Sequence, residues 1–281
     1  MRAATHDLYF VQFALHHING EVRVNGIPVW SVPKDLGMTD QTIPVNPYMV
    51  AGTNQVELVL EIEGSPSTCL RPHEVKPKDD QLGSLRIIRM GPSGGMPTPS
   101  TGTVLGSVEW LGSQEKSDQC PRTVSLAFDG GAGFGTWSWQ TAPSLRLDEA
   151  TVLEAQVLIE QVRACLRAGN AKELLRLIEI NFRETGEAFG AESDAEDIAQ
   201  LESWIRQWAA EPERVLPMDP AKLDLRLVAS DRILMALNQD WTDAVRLRQA
   251  VTDQDDNPCG DFDLPYSLMM ARVGKHLAIV R

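Results

Sequence analysis

A chain of 281 residues, 43% hydrophobic and 23% charged, has the composition of a folded protein large enough to bury a full core, which excludes the disordered and fibrous classes. Its net charge of −13 repels phosphate backbones and argues against nucleic-acid binding, while a basic partner would be attracted. No run approaches the ~18 apolar residues of a membrane-spanning helix, and Leu8–Leu15 is too short and too polar at Gln12 for a signal segment, so no membrane association and a cytoplasmic location are expected.

The charge is uneven. Residues 1–148 hold 11 Lys/Arg against 15 Asp/Glu, a net −4, and residues 149–281 hold 15 against 24, a net −9. Four cysteines at 69, 120, 165 and 259 include no CxxC pair, which argues against a zinc ribbon or a redox motif. Cys69 and Cys120 could meet across a sandwich, although buried free thiols are the preferred reading. No cofactor and no metal are expected.

In chain order, Tyr9–Leu15 is rich in strand formers and precedes the turn signal Asn19-Gly20. Glu21–Val24 alternates polar and apolar, and Asn25-Gly26 marks a tight hairpin turn before Ile27-Pro28-Val29-Trp30, because both central residues of the favoured turn need positive φ. Val56–Ile62, Leu85–Met90, Thr103–Leu111, Thr123–Phe128 and Thr136–Thr141 read as further strands, separated by Pro and Gly. Short strands at this spacing predict a β-sandwich. The runs Glu21–Val29 and Ile43–Leu58, with a V-x-V-N-G hairpin and a P-Y-x-x-x-G-x-N segment, resemble galactose-binding-like jelly-roll domains. That resemblance implies a fold more than a ligand.

The pattern changes near residue 144. Val152, Leu153, Ala155, Val157, Leu158, Ile159, Val162 and Leu166 fall at helical spacing, and Gly169-Asn170 ends the helix. Ala171–Phe182 resumes helically, and Ser193 with Glu196 forms a capping box opening a third helix through Ile198, Leu201, Ile205 and Trp208. Strands return at Leu223–Ala229, Arg232–Leu237, Ala244–Val251, Leu264–Val273 and Leu277–Val280. Three helices followed by an antiparallel sheet resemble the α+β cone of nuclear-transport-factor-2-like domains. The expected fold class is therefore two-domain, an all-β sandwich over 1–143 and an α+β domain over 144–281.

Most catalytic patterns fail on context. Gly91-Pro92-Ser93-Gly94-Gly95 matches a nucleophile elbow but runs into Met96-Pro97, which cannot open the required helix. Gly130–Gly135 lacks the dinucleotide register and any following helix. Asp253–Asn257 begins like a calcium loop but has Pro258 at the glycine position. Cys69 and His73 form half of a ligand set with no second half, and His16 and His17 would face opposite sides of a strand.

The leading functional expectation is a non-catalytic protein-binding protein, in one version an immunity- or antitoxin-like neutraliser of a basic partner. Asp194, Asp197 and Glu202 on the acidic helix are the candidate contacts. The alternative is a pocket in the C-terminal cone lined by Asp231, Asp263 and Tyr266, serving lyase or isomerase chemistry. A second alternative is carbohydrate binding by an aromatic face of Trp137 and Trp139 on one strand.

Overall fold

The computed structural model describes residues 7–34, 36–91, 101–115, 119–190, 195–209, 211–252, 258–266 and 268–281, and the side chains of 195–197, 207, 208, 212, 249–252 and 258–266 lie outside the description. The chain divides into two compact units, Met1–Trp137 with Thr185–Glu192, and Ser138–Glu184 with Ser193–Arg281. β-sheets fill the N-terminal region, and helices with an antiparallel sheet fill the C-terminal one. Among the described residues no helix is long and apolar enough to cross a membrane.

The first unit contains β1 (Leu8–His16), β2 (Gly20–Val24), β3 (Ile27–Val32), β4 (Met38–Pro44), β5 (Thr53–Leu60), β6 (His73–Glu74), β7 (Leu82–Met90), β8 (Thr103–Leu111), β9 (Gln119–Cys120) and β10 (Arg122–Asp129). They form antiparallel sheets ordered β4-β1-β7-β8 and β10-β5-β2-β3, with β6 and β9 paired separately. Period-two alternation sends Val11, Phe13 and Leu15 of β1 to the same core as Val22, Val24, Val56, Leu58 and Leu60 of the other sheet. Each such fully buried side chain contributes about 1.5–3 kcal/mol.

Asn25 and Gly26 have φ of 52° and 76°, the positive pair that the hairpin requires. The P-Y-x-x-x-G-x-N segment has a concrete job. Asn54 is fully buried; its Oδ1 accepts from the Val50 N–H and from Asn25 Nδ2, both at 2.8 Å, while its Nδ2 donates to the Val50 and Gly52 carbonyls. One amide thus satisfies a loop backbone that could not otherwise be buried. Asn46, also fully buried, accepts from the Tyr9 N–H at 2.7 Å and donates to the carbonyls of Asp7 and Ala188.

The second unit holds α1 (Ser138–Thr141), α2 (Glu149–Ala168), α3 (Ala171–Leu177), α4 (Glu179–Ala188, whose last residues group with the first unit) and α5 (Ala195–Ala209). Then follow β11 (Leu223–Val228), β12 (Ile233–Asn238), β13 (Val245–Thr252), β14 (Pro258–Tyr266), β15 (Leu268–Val273) and β16 (His276–Ile279). The sheet order is β11-β12-β15-β16, and β13-β14 is a separate hairpin. Asp148 caps α2 by accepting the Thr151 N–H at 2.8 Å, and Gly169 closes it in the left-handed conformation. Ala155, Ile159, Val162 and Leu166 of α2 share one core with Ile205, Leu234, Ala236, Leu268 and Met270.

Several expectations are corrected. Thr136–Thr141 is not a strand; Ser138 opens a one-turn helix whose first N–H and hydroxyl both bond the Glu184 carboxylate. The helix expected over 171–182 breaks at Ile178 and resumes to Ala188. The single strand expected over Leu264–Val273 is two, β14 ending at Tyr266 and β15 starting at Leu268, and Met38–Pro44, where no strand was expected, is the edge of the first sheet.

Candidate binding groove

The outer face of the sheet β4-β1-β7-β8 is shaped by register. Asp40 stands opposite Ala14, Ala14 opposite Ser84, and Ser84 opposite Glu109, so one rung crosses all four strands. The next rung runs Thr42, Gln12, Arg86, Ser107. Small side chains at 14, 84 and 107 keep the floor low, and a bulge between Ile87 and Ile88 increases the local twist. The result is an open groove of about 670 Å³ lined by these eight residues together with Phe13, Gln41, Leu85 and Val108.

Its electrostatics are arranged across the strands. Asp40 on β4 and Glu109 on β8 put carboxylates on both long sides, about 14 Å apart at the backbone by three strand spacings of ~4.8 Å. Arg86 and Gln12 rise between them. Among the described residues, the side chains of Gln12, Arg86 and Glu109 make no hydrogen bond or ion pair, so their polar groups are turned to solvent; Asp40 lies 3.3 Å from His16 Nε2. The lining has no exposed aromatic ring, since Phe13 is 1% exposed. Such a surface offers donors and acceptors but no stacking platform.

The residues singled out from sequence fall only partly within the described residues. Trp137 and Trp139 are 1% and 5% exposed, and Trp137 Nε1 donates to the Met49 carbonyl, so they form no aromatic face. Asp231 sits in the exposed turn between β11 and β12 with φ of 63°, where its carbonyl accepts the Leu145 N–H. Asp263 and Tyr266 lie on β14, with side chains outside the described residues. On α5, Asp194 lies outside the described residues and so does the Asp197 side chain, while Glu202 lies 3.7 Å from Arg206 one turn on. Leu201 and Ile205 do face the core. Ser93, Ser193 and the Asp253–Asn257 loop also lie outside the described residues.

Cys69, Cys120 and Cys165 are buried free thiols, and burial pushes the Cys120 and Cys165 thiols above their ordinary value, away from a reactive thiolate. The Arg122 guanidinium lies 5.6 Å from the Trp110 ring, 3.4 Å from Glu115 and 2.9 Å from Cys120 Sγ, and its Nη2 donates to the Val75 carbonyl at 3.4 Å. Among the described residues no three His, Cys, Asp or Glu side chains gather as a metal site. The groove was missed in the sequence because its polar residues sit at positions 12, 40, 86 and 109; only the small outward Ala14 beside Gln12 hinted at an open face. No family model, curated protein or solved structure matches the chain.

Proposed function

We propose that this is a non-catalytic protein-binding protein that neutralises a basic partner in the manner of an immunity protein. In this reading the first unit is a separate β-sandwich domain of the galactose-binding-like jelly-roll type and carries the contact. The supporting observation is the groove, a preformed polar face with carboxylates on both rims and polar side chains uncommitted to the fold among the described residues. The excess of acidic residues would speed encounter with a cationic surface. The groove replaces the acidic helix α5 as the first candidate contact.

The test compares wild type with a double variant, Asp40→Asn and Glu109→Gln, in association with lysine-rich and neutral peptides at two ionic strengths. The variant should associate at least about threefold more slowly with the lysine-rich peptide and show a flatter salt dependence. Equal rates and equal salt slopes would remove the groove from the interface. Binding of neutral oligosaccharides in preference to peptides would favour the carbohydrate reading instead.

A further inference from the structure

The two lateral sides of the first unit are built differently. On one side β8 and β10 close together: a Cβ at Gly106 of β8 would stand 2.9 Å from Leu126 Cδ1 of β10, so Leu126 already fills that margin. On the other side the sheets end in β4 and β3, and large apolar side chains remain uncovered there. Trp30 is 38% exposed, Leu36 72% and Met38 66%. The Trp30 ring lies 6.0 Å from that of Phe13, whose cross-strand neighbour on β4 is Gln41. Gln41, although it faces the inner side of its sheet, is itself exposed.

The backbone of β4 is open on the same side. The Val45 N–H bonds the Tyr9 carbonyl and the His17 N–H bonds the Gly37 carbonyl. In an antiparallel ladder hydrogen-bonded pairs alternate, so residues 39, 41 and 43 turn their N–H and C=O groups to β1. Met38, Asp40 and Thr42 must then turn theirs away from the sheet, and among the described residues those groups have no partner. An edge of this kind templates another strand.

We infer that β4 is a strand-addition site, and that its occupant is an extended segment of the basic partner, alternating cationic and apolar residues. This rests on the binding role proposed above and specifies its mode. The added strand's outward residue opposite Asp40 is cationic, because opposite charges stabilise a cross-strand pair. Its inward residues are apolar and cover Trp30 and Ile43. The net charge of −13 sets the sign of the partner and disfavours a second copy of this chain.

The probe is an end-capped alternating lysine–valine peptide of about eight residues, the length that spans β4. Three controls accompany it: a glutamate–valine counterpart, a lysine–valine peptide N-methylated at alternate residues, and the protein variant Thr42→Pro. Proline at 42 removes an outward N–H and leaves every β1 hydrogen bond in place. Wild type should bind the lysine–valine peptide and protect the amides of Met38, Asp40 and Thr42 from hydrogen exchange. The glutamate peptide, the N-methylated peptide and Thr42→Pro should each weaken binding at least about tenfold. Absence of binding at about 1 mM, or binding that leaves those amides unprotected, overturns the inference. Retained binding by the N-methylated peptide also overturns it, even if Thr42→Pro fails to fold. Strand addition further requires that Asp40→Asn weaken the short peptide while Glu109→Gln does not. Equal losses from both would keep the groove as the contact and discard strand addition.

Discussion

Glu184 of the second unit is 4% exposed and gives both oxygens to the protein's own groups, one to the Ser138 N–H at 2.8 Å and the other to Arg281 Nη1 at 2.8 Å. Glu154 likewise accepts the Leu277 N–H and bridges Arg272. Arg163 is buried, pairs with Glu160 and donates to the Leu216 carbonyl at 2.8 Å. On the outer face of the sheet β4-β1-β7-β8, by contrast, the side chains of Arg86, Gln12 and Glu109 make no hydrogen bond or ion pair among the described residues. Charges that close on themselves hold a fold, and charges left open are available to a partner. On the binding role proposed above, the difference favours the first unit as the contact, although residues 149–281 carry most of the net negative charge.

That contrast can be broken by mutation. Glu184→Ala should be the most damaging change, because it removes the buried carboxylate that pairs with the buried Arg281 guanidinium at 2.8 Å; the expected loss is about 3–5 kcal/mol in chemical denaturation. A loss under about 1 kcal/mol would mean these interior charges are no more structural than those of the groove. Glu154→Gln should cost about 1.5–3 kcal/mol at neutral pH, since it weakens charge-assisted hydrogen bonds. Burial pushes the Glu154 carboxyl up, but the Leu277 N–H and Arg272 outweigh it, leaving it below its ordinary 4.5. With the folded value depressed, the Glu154 contribution is complete above the unfolded pKa and is lost as pH falls through the folded one. Wild type should therefore lose its advantage over Glu154→Gln as pH drops below about 4.5, measured as converging melting temperatures. Convergence on raising the pH instead would reverse the assigned sign. Arg86→Ala should change stability by no more than about 0.5 kcal/mol. It should nevertheless quicken association with a lysine-rich peptide, because the rim carboxylates then act unopposed. A large stability loss would place Arg86 with the structural charges.

Local signals in the sequence were read well where a single residue decides the backbone. Asn25-Gly26 turns the first hairpin and Gly169 ends α2, and strands appear near 223–229, 232–237 and 244–251, whereas the single strand expected over Leu264–Val273 is divided between β14 and β15. Trp137 and Trp139 misled because their spacing is equally that of a strand and of a loop running into a helical turn; the Glu184 carboxylate waiting for the Ser138 N–H is 46 residues away. β4 was invisible for the opposite reason. Met38-Thr39-Asp40-Gln41-Thr42-Ile43-Pro44 carries little apolar alternation because an edge strand with exposed faces has little to bury. The groove inherits that blindness, since its rim is β4 and its rungs exist only through pairing register.

Asn46 carries a consequence for the order in which the protein can be made. Its amide needs the carbonyl of Ala188 as an acceptor, and Thr185–Glu192 belongs to the same compact unit as the first 137 residues. A ribosome that has finished Trp137 has therefore not finished the first unit. At roughly 5–20 residues per second the missing segment arrives about 3–10 s later. During that interval the nascent sheets are without the segment that caps Asn46, and the chain between is already emerging as helix. A fragment cut after residue 143 would be held permanently in that unfinished state.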